Sequence, residues 1–166
     1  MKLSTSGLIG GVLMSASIAL LGFAQQATAN PLNGYVGTWS GSGSVKLDSG
    51  KSERIDCRAY YTSRQEGTDL NVAIRCANPS NKIEMRAGLT YSGGAVSGTW
   101  EERTFNATGA VTGTANPASI KLSINGAITG SMSVSLSNNQ QNVSISTAGS
   151  GSGLSAVKIN LKRQGG

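Results

Sequence analysis

Histidine is missing from this chain altogether, and aromatic residues make up only 5% of it. Without an imidazole there is no His-based catalytic triad and no Cys/His metal centre, so no metal site and no cofactor is expected. Charge is thin as well, at 13% of residues, so uncharged Ser, Thr and Asn must wet most of the surface. Acid runs out entirely after Glu102, where only Arg103, Lys121, Lys158, Lys162 and Arg163 carry charge. General acid–base work by paired carboxylates needs two of them on one site. Here Glu101 and Asp56 read as outward, Glu53 lies near a strand start, and Glu102 stands alone. No Gly-x-Ser-x-Gly elbow is present either, so the chain reads as no enzyme. The net charge is +6, but the cations are scattered among Ser, Thr, Asn and Gly. That describes a mildly basic wetted surface rather than a nucleic-acid site.

Long apolar runs are equally rare. The single one, Leu8 to Phe23, follows Lys2 and leads to the small residues Ala27-Thr28-Ala29. That order reads as a signal peptide over 1–29, cleaved near Ala29, with a periplasmic or secreted bacterial protein as the product. Residues 30–166 are then one domain, and no membrane span is expected in the mature chain.

What is abundant is alternation. From Tyr35 to Leu47 the odd positions read Tyr, Gly, Trp, Gly, Gly, Val, Leu and the even ones Val, Thr, Ser, Ser, Ser, Lys. A period of two is a strand with one buried and one wet face. Turn signals recur every eight to fifteen residues, among them Asp48-Ser49-Gly50, Glu66-Gly67, Asn78-Pro79-Ser80, Gly93-Gly94, Asn116-Pro117, Asn125-Gly126 and Gly149-Ser150-Gly151. No long helical period lies between them. The expected fold class is all-β: an antiparallel up-and-down meander closing into a barrel of eight to ten strands. An echo of Gly94–Thr99 at Gly109–Thr114 and Gly126–Ser131 places an aliphatic residue and a glycine on one face each time.

Hairpin arithmetic gives the register. A loop at Asp48-Ser49-Gly50 sets Trp39 opposite Ala59, Gly37 opposite Tyr61 and Gly41 opposite Cys57. A loop at Glu66-Gly67 sets Cys57 opposite Cys76, Ala59 opposite Ile74, Tyr61 opposite Val72 and Arg64 opposite Asp69. A type I′ loop at Gly93-Gly94 sets Leu89 opposite Gly98, Ala87 opposite Trp100, Arg86 opposite Glu101 and Glu84 opposite Arg103. Cys57 and Cys76 fall on the apolar face of an exported protein, so a structural disulfide is expected. After Asn125-Gly126 an extra loop residue or bulge is needed to keep Ile124, Ile128, Met132, Val134 and Leu136 on one side. The tract Asn138–Asn142 reads as a polar hairpin tip.

Tyr35, Trp39, Tyr61, Tyr91 and Trp100 share the inner parity with Met85 and Met132, and Glu102 points inward near Met85. A membrane barrel would turn its apolar residues outward and carry aromatic girdles. Phe105 is the only aromatic after Trp100, so a soluble barrel is the better reading. If its centre is hollow, Trp39, Tyr61, Met85, Tyr91, Trp100 and Met132 line the lumen and Glu102 is a polar anchor at the rim.

Gly37-Thr38-Trp39 at the head of the first strand, with Arg163 ending the last, resembles the lipocalin or calycin signature. In that family the Trp closes the barrel base and a basic side chain packs across it. The resemblance implies barrel closure by Gly37, Trp39 and Arg163, and a small apolar ligand in the mouth. Two features depart from it: ten strand-like runs against the family's eight, and no candidate for the usual helix. Small exported bacterial protease inhibitors of the metalloprotease-inhibitor type are similar too, with an early Trp and one disulfide between neighbouring strands. That likeness implies an inserting arm, Asn30-Pro31-Leu32-Asn33. The leading expectation is therefore a lipocalin-like carrier of a small apolar ligand. Its alternatives are a periplasmic protease inhibitor, or a filled barrel whose partner is another envelope protein. An inner cavity above about 300 Å³ favours the carrier, and a filled lumen favours the structural role.

Overall fold

The alternation of the first strand-like run becomes β1 (Gly37–Leu47), and nine more strands follow it in an unbroken meander. They are β2 (Ser52–Thr62), β3 (Asp69–Ala77), β4 (Lys82–Ser92), β5 (Ala95–Glu102), β6 (Ala107–Asn116), β7 (Ser119–Gly126), β8 (Gly130–Ser137), β9 (Gln140–Thr147) and β10 (Leu154–Arg163). The structure, a computed structural model, describes residues 30–64, 68–79, 82–148 and 153–165. The signal-peptide reading of 1–29 and the turns at Glu66-Gly67 and Gly149-Ser150-Gly151 lie outside the described residues. Each strand pairs antiparallel with the next, and β10 pairs with β1 to close the barrel. Closure removes both sheet edges, so every strand has two hydrogen-bonded neighbours.

The register follows the hairpin arithmetic. Trp39 faces Ala59 and Gly41 faces Cys57. Cys57 faces Cys76, and those two residues form the disulfide. Ala87 faces Trp100 and Leu89 faces Gly98. The echoed segments pair with each other, Val96 against Gly113 and Gly98 against Val111, so each glycine makes room for a branched neighbour. The bulge expected after Asn125-Gly126 takes the form of a three-residue connection, with Ile124 paired to Gly130 and Ile120 to Val134. Apolar side chains line the inside; serines 131, 133, 135 and 137 are exposed on the outside. This is the reverse of a lipid-facing barrel.

One departure concerns charge. Arg86 stands opposite Glu101 in the ladder, yet its guanidinium lies 3.4 Å from Glu84. Glu84 also meets Arg75 and Arg103, each at 3.6 Å. One half-exposed carboxylate between three arginines outcompetes Glu101, whose ladder partners are Arg86 and the uncharged Thr108.

The bend that closes the barrel depends on inward glycines. A Cβ added at Gly41 would fall 1.9 Å from the carbonyl oxygen of Asn160 on β10, a backbone atom that cannot swing away. Gly41→Ala should therefore destabilise the fold by about 1–3 kcal/mol. A urea melt checks this, with the exposed Ser44→Ala change as the neutral comparison.

Candidate functional site

The base of the barrel is sealed by the segment that precedes β1. Pro31–Tyr35 forms a short 3₁₀ helix, whose start is fixed by Pro31 and by the Leu32 amide donating to Asn30 Oδ1 at 2.8 Å. It packs against β6, which lies halfway round the ring from β1, so this one turn crosses the whole floor. Leu32 and Tyr35 are fully buried there. Asn30–Asn33 is thus no free arm: Pro31 and Leu32 are part of the core, and the inhibitor-type insertion reading loses its inserting segment.

Trp39, fully buried, donates its indole N–H to the Tyr35 carbonyl at 2.8 Å. The Arg163 guanidinium lies over the Trp39 ring at 4.2 Å, within cation–π reach. It also donates to the carbonyls of Val36 and Gly34. Gly37 adopts φ +132°, and a Cβ there would strike Arg163 Nη1 at 2.7 Å. The glycine is needed both for its backbone angle and for the room it leaves the guanidinium. Gly37, Trp39 and Arg163 meet at one place, which is the base.

Above this floor lies a cavity of about 170 Å³. Tyr61, Met85, Trp100, Glu102 and Met132 line it, together with Tyr35 and aliphatic side chains such as Val72, Leu122, Val134 and Ile145. Two lumen expectations fall elsewhere. Trp39 sits beneath the cavity in the floor, held down by its bond to Tyr35. Tyr91 pairs with Val96 at the basal end of β4, half-buried and away from the cavity wall. Parity placed both on the correct face; it carries no information about height along the barrel axis, which strand tilt decides.

As a polar anchor at the rim, Glu102 would leave its carboxylate free for water, a cation or a polar ligand group. Instead it is buried, and its carboxylate accepts backbone N–H bonds from Glu84 at 2.9 Å, Thr104 at 3.1 Å and Phe105 at 2.7 Å. It fastens the β5–β6 loop to β4. Burial by itself would raise its pKa, but the amides of Phe105, Glu84 and Thr104 outweigh that and hold it below the usual glutamate range. A carboxyl that titrates lower folded than unfolded adds stability above its unfolded value, and loses it as pH falls through the folded one. Glu102→Gln should therefore be less stable than the parent at pH 7 and converge with it in acid. Denaturation midpoints measured from pH 7 downward test this; a gap that stays constant with pH contradicts it.

A further residue escaped the sequence reading. Gln141 lies inward at the start of β9 and is fully buried, although its tract looked like a polar tip. The Tyr61 hydroxyl donates to Gln141 Oε1 at 3.1 Å. Its parity with Val143 and Ile145 was the available signal. Tyr35 and Tyr61 stand with ring centroids 6.4 Å apart. Burial pushes the Tyr35 phenol up to about 12, and Tyr61 is raised by burial and then by its neighbour Tyr35. Both stay protonated at neutral pH.

No protein-family model matches the chain, and no curated protein matches its sequence. Solved structures do match. Rv2717c from M. tuberculosis superposes with a TM-score of 0.65 at 17% identity, covering 81% of this chain and 94% of that one. The S-type phycobiliprotein lyase CPES from Guillardia theta gives 0.55 at 13% identity, covering 81% and 91%. The shared feature is the fold. At these identities the likeness is one of architecture alone.

Proposed function

We propose that this protein is a non-enzymatic binding barrel, exported from the cell, that holds a compact apolar molecule in its lumen. The observation that carries the reading is the apolar cavity of about 170 Å³. It is below the roughly 300 Å³ of sites for drug-sized ligands, yet larger than the engineered cavity of about 150 Å³ that stays dry and binds benzene. The occupant is accordingly of single-ring size, not a retinoid or a long acyl chain. Non-enzymatic action is supported by the state of Glu102, the one carboxylate on the wall, whose oxygens are occupied by three backbone amides. The Cys57–Cys76 bridge supports an oxidising, extracytoplasmic setting. No helix among the described residues is long and apolar enough to cross a membrane.

Tryptophan fluorescence provides the test, since Trp100 lines the cavity. Titration with benzene or indene should give a saturable one-site change. Met132→Trp, which fills the lumen, should abolish binding, and the exterior change Thr99→Ser should leave it intact. A flat titration in the parent removes the carrier reading and leaves an envelope interaction module as the better account.

A further inference from the structure

The two ends of the barrel present different surfaces. The base is closed by the Pro31–Tyr35 turn, with Leu32 and Tyr35 fully buried. The opposite end carries the β1–β2, β3–β4, β5–β6 and β7–β8 connections, and apolar side chains recur around its rim. Leu47 ends β1 and pairs with Leu154 at the start of β10. Ile83 lies at the start of β4, Phe105 in the β5–β6 loop and Ile128 in the β7–β8 loop. Leu47, Ile83, Ile128 and Leu154 are half-buried, and the last three also line the cavity. The apolar lining thus runs out onto the rim.

Phe105 is 68% exposed, while the other exposed large hydrophobic residue, Tyr60, sits on the barrel wall. A lone exposed apolar side chain is ordinary, but this one is held out on a fixed loop. The amides of Thr104 and Phe105 donate to the Glu102 carboxylate at 3.1 and 2.7 Å. The Arg103 amide donates to the Glu84 carbonyl at 2.9 Å. Asn106 turns the chain back at φ +52°, a left-handed angle that asparagine tolerates. Little backbone freedom is therefore left to lose when the ring is buried.

Charge at this end suits an anionic partner. Glu53 is bound to Lys51 at 2.9 Å, Glu84 lies among three arginines, and Glu102 is occupied by amides. Exposed Lys46 and Lys82 have no ion pair among the described residues. A ring of apolar side chains edged by such cations matches an anionic bilayer: apolar groups enter the acyl boundary and ammonium groups stay at the phosphates. A protein partner would need a surface shaped to the open mouth, whereas lipid conforms to it.

We propose that the open end of the barrel docks on anionic phospholipid bilayers, with Phe105 inserted and Lys46 and Lys82 at the headgroups. The lumen then faces the hydrocarbon, from which an apolar ligand enters without crossing water. Docking goes beyond the lumen reading and does not depend on it.

Co-sedimentation of the protein with vesicles tests this, using phosphatidylcholine with and without phosphatidylglycerol. The parent should bind the anionic vesicles more tightly than the neutral ones. Phe105→Ser should weaken anionic-vesicle binding about tenfold, through loss of the inserted ring. Lys82→Gln should weaken it about fivefold and leave neutral vesicles unaffected. Lys162→Gln, exposed at the base, should change neither. Phe105→Ser alters a side chain in water and keeps the backbone bonds of the loop, so it should melt with the parent. Phe105→Trp gives a second readout: its emission should shift to the blue on anionic vesicles. No sedimentation of the parent with anionic vesicles, or equal effects of Phe105→Ser and Lys162→Gln, overturns the docking. Phe105 lies outside the cavity lining, so benzene binding should be the same in Phe105→Ser and the parent, and the lumen reading stands or falls separately.

Discussion

Trp39→Ala should lower the unfolding free energy by about 3–5 kcal/mol, the range for truncating a large buried aromatic side chain. Three losses coincide at this residue. The indole is fully buried, so its removal leaves a void in the floor. The Tyr35 carbonyl loses the N–H that fixes the 3₁₀ turn across the base. The Arg163 guanidinium loses the aromatic face beneath it. Trp39→Phe keeps a ring but no donor, so it should fall between the parent and the alanine variant. Chemical denaturation followed by circular dichroism measures both. A loss below about 1 kcal/mol for Trp39→Ala, the level of ordinary surface changes, would mean that the base is not what holds the barrel shut.

Removing the disulfide is the other large perturbation. Cys57 and Cys76 are 19 residues apart in sequence, and cross-linking a loop of that size stabilises by about 3 kcal/mol in the chain-entropy model. The double variant Cys57→Ser, Cys76→Ser should lose that amount, plus a further cost for burying two hydroxyls on the apolar face. Cys57→Ala with Cys76→Ala isolates the cross-link. Reducing agent added to the parent should reproduce the alanine result, and unchanged midpoints with and without reductant would contradict it.

Much of the architecture was legible because barrel strands obey a period of two and tight turns announce themselves. Gly93-Gly94 alone fixes the β4–β5 register from Met85 and Glu102 to Ser92 and Ala95. Position along the barrel axis was not legible. Trp39 and Tyr61 share a face, yet only Tyr61 lines the cavity, because the Trp39 indole is tied to the Tyr35 carbonyl and covered by the Arg163 guanidinium at the base. Polar identity misled in both directions: Gln141 looked like a surface tip and is buried, and Glu102 looked like a ligand anchor and is a loop clasp. In each case the deciding partner, Tyr61 Oη or a backbone amide, comes from another strand or a turn, which residue type cannot disclose. Arg163 over Trp39 was suggested by family resemblance alone; the role of Gly37 in making room for it emerged from the geometry.

Met85 on β4 and Met132 on β8 both line the cavity from distant parts of the ring. Nuclear Overhauser effects from their labelled methyl groups to bound benzene therefore report the lumen and nothing else. Simultaneous transfer from both methyls to one saturable ligand is the predicted result. Saturable binding with no transfer from either methyl, or transfer only from outward groups such as Thr99 and Ala110, would contradict an internal site.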